Sequence, residues 1–168
     1  MIEADKYLYN QDGITMRASV RDDIKYISDN LRENDIKEIW ASDNILPLDA
    51  LAEGFNESIA CWTISNGNPI AMFGIVPETV LGNKACVWLL ATDGISDIRR
   101  RFARRSREFI KTLHEWYPYL YNYVDDRNKD SIAWLKFCGA KINEPEEYGV
   151  ERMPFRYFYF EKQENKNV

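Results

Sequence analysis

Residues 87–107 read Val87-Trp-Leu-Leu-Ala-Thr-Asp-Gly-Ile-Ser-Asp-Ile-Arg-Arg-Arg-Phe-Ala-Arg-Arg-Ser-Arg107, an apolar strand that runs through one glycine into a helix opening on arginines. Residues 85–92 are nearly all apolar, the pattern of a strand covered on both faces and therefore central in its sheet. Behind it Ile98, Phe102, Phe109, Ile110, Leu113 and Trp116 recur at helical spacing until Pro118 stops the helix. Strand, Asp93-Gly94 turn and helix start together aim unpaired backbone N–H groups and the positive end of a helix dipole at one spot, which predicts an anion site. Arg99, Arg100, Arg101, Arg104, Arg105 and Arg107 add six charges to a chain of net charge −5, so the remainder carries −11. Only Glu108 offers these arginines a partner at close helical spacing. The same stripe also fits a solvated helix face or a contact for an acidic protein or nucleic acid.

Upstream, residues 59–65 and 70–76 are short apolar runs around Asn66-Gly67-Asn68-Pro69, a hairpin signal that predicts an antiparallel pair. Val20, Ile24, Ile27 and Leu31 form a helical stripe after a strand at 14–17, with Ser19 and Asp22 read as a variant capping box. A second helix is expected from about Pro47, with Leu48, Leu51, Ala52 and Phe55 inward. Residues 36–44, with Ile39 and Trp40, show no assignable period. Downstream, residues 119–124 favour a strand, Asp125-Asp126-Arg127-Asn128 breaks it, and a helix from about 129 to 138 ends at Gly139. A short strand at 140–142, a polar loop at Glu144-Pro-Glu-Glu and a last strand at Phe155-Arg-Tyr-Phe-Tyr-Phe160 complete the order. It runs strand, two helices, three strands, helix, strand, helix, two strands, in one α/β (α+β) domain at 14–160, with an arm at 1–13 and a polar tail at 161–168.

A chain of 168 residues, 45% hydrophobic and 14% aromatic, can bury one substantial core. No basic segment leads into an apolar run at the N-terminus, and no stretch reaches the ~18 apolar residues of a membrane span, so a cytosolic protein is expected. Cys61, Cys86 and Cys138 are odd in number and set among apolar residues, which favours reduced core thiols. One histidine excludes a His-rich metal centre. A pI near 5.0 argues against a general nucleic-acid binder.

Three segments, in this order of elements, resemble the GCN5-related N-acetyltransferase (GNAT) family, and more narrowly the GNAT-like proteins of tailed bacteriophages, an internal-virion-protein-like group. They are Met16-Arg-Ala-Ser-Val-Arg-Asp-Asp23, Trp88-Leu-Leu-Ala-Thr-Asp-Gly94 and Asn128-Lys-Asp-Ser-Ile-Ala-Trp-Leu-Lys-Phe-Cys-Gly139, and the resemblance spans roughly residues 14 to 160. It implies a mixed, mostly antiparallel central sheet of about seven strands with helices on both faces. It also implies acetyl-CoA as the acyl donor, transferred to an amine of a protein or small molecule in the host cytoplasm. Leu90, Ala91 and Thr92 would then line the pantetheine arm, Gly94 to Arg100, with Arg99 and Arg100, would hold the pyrophosphate, and Asn128 would fix the arm. The resemblance implies that a neutral amine attacks the thioester carbonyl while a base takes its proton and an acid protonates the departing thiolate, and Asp93, ending the central strand, is the candidate base.

Two departures accompany the resemblance. The family's phosphate loop uses closely spaced small residues, whereas Gly94-Ile-Ser-Asp-Ile-Arg-Arg-Arg has one glycine and bulky neighbours. Leu135 stands where the family often has a tyrosine acid. The alternative they imply is a catalytically degenerate GNAT-fold phage protein that acts in virion assembly or ejection, or binds a host protein. Each candidate also has a structural reading: Asp93 as turn chemistry, Asn128 as a helix cap, His114 as a cation at a helix end and Cys138 as a core thiol. The face of the sheet that Trp88 occupies is open from sequence.

Overall fold

The structure, a computed structural model, describes residues 9–163. Residues 1–8 of the expected arm and 164–168 of the expected tail lie outside the described residues. Nine strands form one sheet: β1 (Tyr9–Gln11), β2 (Ile14–Ala18), β3 (Ala60–Ser65), β4 (Pro69–Pro77), β5 (Lys84–Ala91), β6 (Tyr119–Asp125), β7 (Lys141–Ile142), β8 (Glu146–Tyr148) and β9 (Met153–Glu161). The helices are α1 (Arg21–Asp29), α2 (Glu33–Asp43), α3 (Pro47–Glu57), α4 (Ile95–Leu113) and α5 (Lys129–Cys138). The strand order is β1-β2-β3-β4-β5-β6-β9-β7, with β8 added to β9, and every pair is antiparallel except β5 with β6.

The sheet is mixed and mostly antiparallel as expected, with nine strands rather than about seven. The additions are β1, which pairs with β2 from within the segment read as an arm, and β8, which pairs with β9 where a polar loop was expected. Both are three residues long and lack an apolar alternation. The unassigned stretch is α2, whose inward residues include Asp35 and Glu38 as well as Ile39, so no apolar period marks it. The first helix begins one residue later than expected: Asp23, not Asp22, accepts the Val20 N–H at 2.9 Å, and the Ser19 hydroxyl meets Thr63 Oγ1 at 2.8 Å.

Two cores follow from the strand alternation. Trp62, Ile64, Ala71, Ile75, Leu120, Val124, Phe158 and Phe160 face α4 and α5, packing on Ile98, Phe102, Ile132 and Leu135. Cys61, Met72, Trp88 and Leu90 face α1–α3, against Ile24, Ile27, Ile39 and Leu51. Trp88 therefore lies on the α1–α3 face, where its Nε1 donates to Ser58 Oγ at 2.9 Å. Burial pushes the Cys61 and Cys86 thiols up to about 11 and Cys138 to about 12, as suits protonated core thiols.

The seat of Trp88 depends on a glycine. A methyl group on Gly74 would lie 2.4 Å from Ser58 Oγ, 2.8 Å from Trp88 Nε1 and 2.9 Å from Cys61 Sγ. Gly74→Ala is therefore expected to cost about 2 kcal/mol and to lower Tm by roughly 4–8 °C. Thermal unfolding followed by tryptophan fluorescence checks this, and an unchanged Tm would show that the indole has room to move.

Candidate functional site

The parallel pairing of β5 and β6 runs only from Lys84 opposite Tyr119 to Cys86 opposite Tyr121, and then the strands part. Asn122 holds them at the fork: its Nδ2 donates to Val87 O at 2.9 Å while its Oδ1 accepts the Tyr123 N–H at 2.7 Å. Beyond the fork opens a cleft of about 510 Å3 that passes through the sheet. Phe102, Phe109 and Trp134 line it from the α4–α5 side, and Glu38, Trp88 and Tyr148 from the other.

Thr92 N–H bonds Ile70 O at 2.8 Å, so even-numbered residues at this end of β5 turn their backbone groups to β4. The odd-numbered Leu89 and Ala91 turn theirs into the wedge. Ala91 is already partnered there: its N–H donates to Asp35 Oδ2 at 2.9 Å, and its C=O accepts the Arg32 N–H at 3.0 Å. Leu31 and Thr92 form an antiparallel bridge beside these bonds, so the α1–α2 connection acts as a one-residue strand on β5. Of the expected arm-lining residues, Leu90 places its side chain in the α1–α3 core and Thr92 is bonded to β4. Leu89, one residue earlier, is the residue whose backbone faces the wedge unclaimed by this bridge.

The helix start differs from the expected anion site. Gly94 N–H meets Thr92 Oγ1 at 3.3 Å, and the N–H groups of Ile95, Ser96 and Asp97 bond the carbonyls of Thr92, Asp93 and Gly94 at 3.1–3.2 Å. Tight i→i−3 turns thus take up the amides expected to be unpaired. The arginines divide into two groups. Arg101 donates to Asp12 O, Arg105 bonds the Gln11 side chain and covers the Tyr9 ring, and Arg107 covers Phe137. Arg101 and Arg105 thereby fasten the β1–β2 hairpin to α4. Arg99, Arg100 and Arg104 are exposed and have no partner among the described residues, and the first two border a shallow depression over the first turn of α4.

Sequence reasoning missed the carboxyl at the centre of this arrangement. Glu38, on α2, lies at the floor of the cleft, where its Oε2 accepts the Asp125 backbone N–H and Asn128 Nδ2, both at 3.2 Å. Its Oε1 accepts no hydrogen bond among the described residues. Burial, then the Asp35 and Asp125 carboxylates, push Glu38 up to about 7 against those two hydrogen bonds. Of the two roles weighed for Asn128 the structure shows the cap: its Oδ1 accepts the Ser131 N–H at 3.3 Å at the start of α5, while its Nδ2 donates to Glu38. Asp93 is exposed at the strand end. Leu135 is buried in the α4–α5 core, and His114 Nδ1 lies 3.1 Å from Tyr117 O at the end of α4.

Two buried donors in residues lining the cleft lack partners: Trp134 Nε1 and Arg32 Nε. Arg32 Nη2 pairs with Asp35 Oδ1 at 2.8 Å and donates to Ser131 Oγ at 3.0 Å.

A family model described as "Bacteriophage T7, probable scaffold protein Gp13" matches residues 70–148. No curated protein matches the chain by sequence. Among solved structures, the chain is similar to spermidine N-acetyltransferase from Vibrio cholerae, in complex with CoA and spermine, with 16% identity and a TM-score of 0.67 over 90% of this chain and 97% of that one. It is also similar to AAC(6')-Ib in complex with ribostamycin and coenzyme A, with 14% identity and a TM-score of 0.67 over 94% and 99%. The ribosomal-protein-S5-alanine acetyltransferase of Vibrio fischeri matches with 13% identity and a TM-score of 0.64 over 95% and 98%. These likenesses establish the GNAT fold. Among the described residues no helix is long and apolar enough to cross a membrane.

Proposed function

We propose that the wedge between β5 and β6 holds a coenzyme A thioester and that the chain transfers its acyl group to an amine, with Glu38 as general base. The observation that carries this reading is a carboxyl raised to about 7 at the floor of a cleft through a GNAT sheet. A base works best when its pKa lies near the working pH. Leu89 N–H, turned away from β4 beyond the fork, offers a donor to an amide-bearing arm. The helix amides are engaged, so a pyrophosphate would be met by the Arg99 and Arg100 side chains, whose planar forks suit phosphate. A coenzyme A thioester supplies an activated acyl carbonyl. The chain's part is to fix the Glu38 carboxyl through Asn128 and the Asp125 N–H, and to take the amine proton at Oε1. Asp93 is exposed beyond the end of β5 and outside the cleft lining, so the base role falls to Glu38 instead.

A second reading is favoured by the Ala91 backbone, both of whose groups are taken by Arg32 and Asp35. In it the fold is kept without catalysis and serves virion assembly or ejection, or binds a host protein. The engaged α4 amides, Leu135 and the scaffold description of the matched family model support it.

Thermal unfolding with and without coenzyme A or acetyl-CoA separates the two. Ligand at about 100 times its dissociation constant should stabilise the fold by roughly 2.7 kcal/mol, a Tm rise on the order of 5–10 °C. Arg99→Ala with Arg100→Ala should reduce that rise. No shift at millimolar ligand rejects the acyltransferase and leaves the second reading.

A further inference from the structure

On the closed side of the fork, where β5 and β6 are still paired, the cavity continues beneath α4. Val87, Leu120 and Phe160 line this part from the sheet, and Phe109, Ile110 and Leu113 line it from the second half of α4. The rings of Trp62, Phe73 and Phe109 meet one another at centroid distances of 4.9–5.6 Å and wall it toward β3. Val87, Leu89 and Phe109 stay partly exposed although α4 lies over this face of the sheet, so the side chains leave room between the two layers.

The polar residues that α4 brings to this space are already engaged. Ser106 Oγ donates to Phe102 O at 2.8 Å, Thr112 Oγ1 donates to Glu108 O at 3.4 Å, and Arg105 pairs with Glu108 at 3.3 Å. On the sheet, Asn122 spends both ends of its side-chain amide at the fork. A settled water needs about two to four polar partners, and a native interior leaves few empty spaces larger than one water. Polarity is thus divided along the cleft. Glu38, Asn128 and Ser131 stand at its open end, and the closed end is alkyl and aromatic.

Phe102 and Leu113 mark the extent of the α4 wall, about 16 Å apart at 1.5 Å of rise per residue. An extended chain advances about 1.2 Å per bond, so about a dozen bonds fit along it. We propose, on the reading of the cleft as a coenzyme A thioester site, that the thioester carries an unbranched acyl chain of roughly eight to twelve carbons laid beneath the second half of α4. The carbonyl then stays at the polar open end by Glu38, where an amine can reach it, and the alkyl tail fills the apolar end. An acetyl group would leave that end empty. The chain is unbranched because the space runs lengthwise between one helix and the sheet, with the Trp62, Phe73 and Phe109 rings closing its flank.

Calorimetric titration of the full chain with acetyl-, butyryl-, hexanoyl-, octanoyl- and decanoyl-CoA tests this without turnover. Each methylene that enters should tighten binding by up to about fourfold, so octanoyl-CoA is expected to bind on the order of 10²-fold or more tighter than acetyl-CoA. Val87→Phe puts a ring into the middle of the space and should remove that gain while leaving acetyl-CoA affinity unchanged. Leu113→Phe, at the closed end, should cut the gain for the longest chains alone, and either variant suffices if the other fails to fold. Octanoate should bind far more weakly than octanoyl-CoA, and equal affinity would assign the space to a free fatty acid and overturn the thioester source. Acetyl-CoA binding with no gain along the series overturns the proposal and leaves the acyltransferase reading standing, as does a gain that survives both variants. If no thioester of any length binds, that reading fails and the proposal falls with it.

Discussion

Glu38→Gln is expected to slow acyl transfer by about 10²–10⁴-fold while making the protein more stable at alkaline pH. The two effects have one cause. Glu38 is raised from the ordinary 4.5 to about 7, so the folded chain holds this proton over a range where the unfolded chain has released it. Below pH 4.5 both states are protonated and the group adds no pH dependence. Between 4.5 and 7 stability falls as pH rises, because the unfolded state binds fewer protons, and above 7 the loss levels off at about 3 kcal/mol. Glutamine keeps the shape and the oxygen that accepts from Asn128, but it has no charge to bury. Unfolding in urea should show the variant equal to the wild type near pH 4.5 and more stable at pH 8, with a Tm higher by roughly 6–12 °C. In the acyltransferase, the limb of the pH–rate profile near 7 should vanish together with most of kcat. Equal stability of the two proteins at pH 8 would show that Glu38 is not held protonated by its site. Higher stability with no acyl transfer in either protein would keep the site as described and support the non-catalytic reading.

The strand-to-helix run from Val87 to Arg107 was legible because both of its faces carry apolar periods that end at Pro118. The apolar stripes of α1, α3 and α4 were legible for the same reason, whereas the sheet face occupied by Trp88 was not. What escaped was organised by polar groups. The inner face of α2 carries Asp35 and Glu38, whose partners are Ala91, Asp125 and Asn128, far along the chain. No local pattern announces such contacts, since a carboxylate on a helix reads as a solvated one until the fold brings a donor to it. The first-turn amides of α4 are not free as expected, for a related reason. Unpaired amides are a property of an isolated helix start, and here Thr92, Asp93 and Gly94 supply carbonyls to the first turn. The arginine stripe likewise divided only once the β1–β2 hairpin lay against α4. Sequence spacing located the junction, and tertiary contacts decided which of its polar groups remain available.

Asp23→Ala should be the most destabilising of the single substitutions considered, at about 3–5 kcal/mol, or a Tm lower by roughly 10 °C. Asp23 is 3% exposed and gathers four hydrogen bonds: Arg17 approaches both carboxylate oxygens at 2.6 and 2.7 Å, Thr63 Oγ1 lies at 2.8 Å and the Val20 N–H at 2.9 Å. Burial pushes its pKa up, but the Arg17 bonds, the Val20 N–H, the Thr63 hydroxyl and the Arg17 charge outweigh this and hold it below the ordinary carboxylate value. Its contribution is therefore present above the ordinary Asp value of 3.8 and is lost as pH falls through the lower folded value. The partners are unequal. Arg17 is 39% exposed and can turn to water, so Arg17→Met should cost only about 1–2 kcal/mol, whereas removing Asp23 strands the Val20 N–H and leaves the Thr63 hydroxyl with Ser19 alone. Urea midpoints at unchanged m-value check this order, and an Asp23→Ala cost no larger than that of Arg17→Met would mean those two donors find other partners. The consequence reaches the cleft. Asp23 ties α1 to β2 and β3, and α1 leads directly into Leu31 and Arg32, which bridge the end of β5 and close the Ala91 backbone. Loosening Asp23 should thus release the segment that now occupies one side of the wedge.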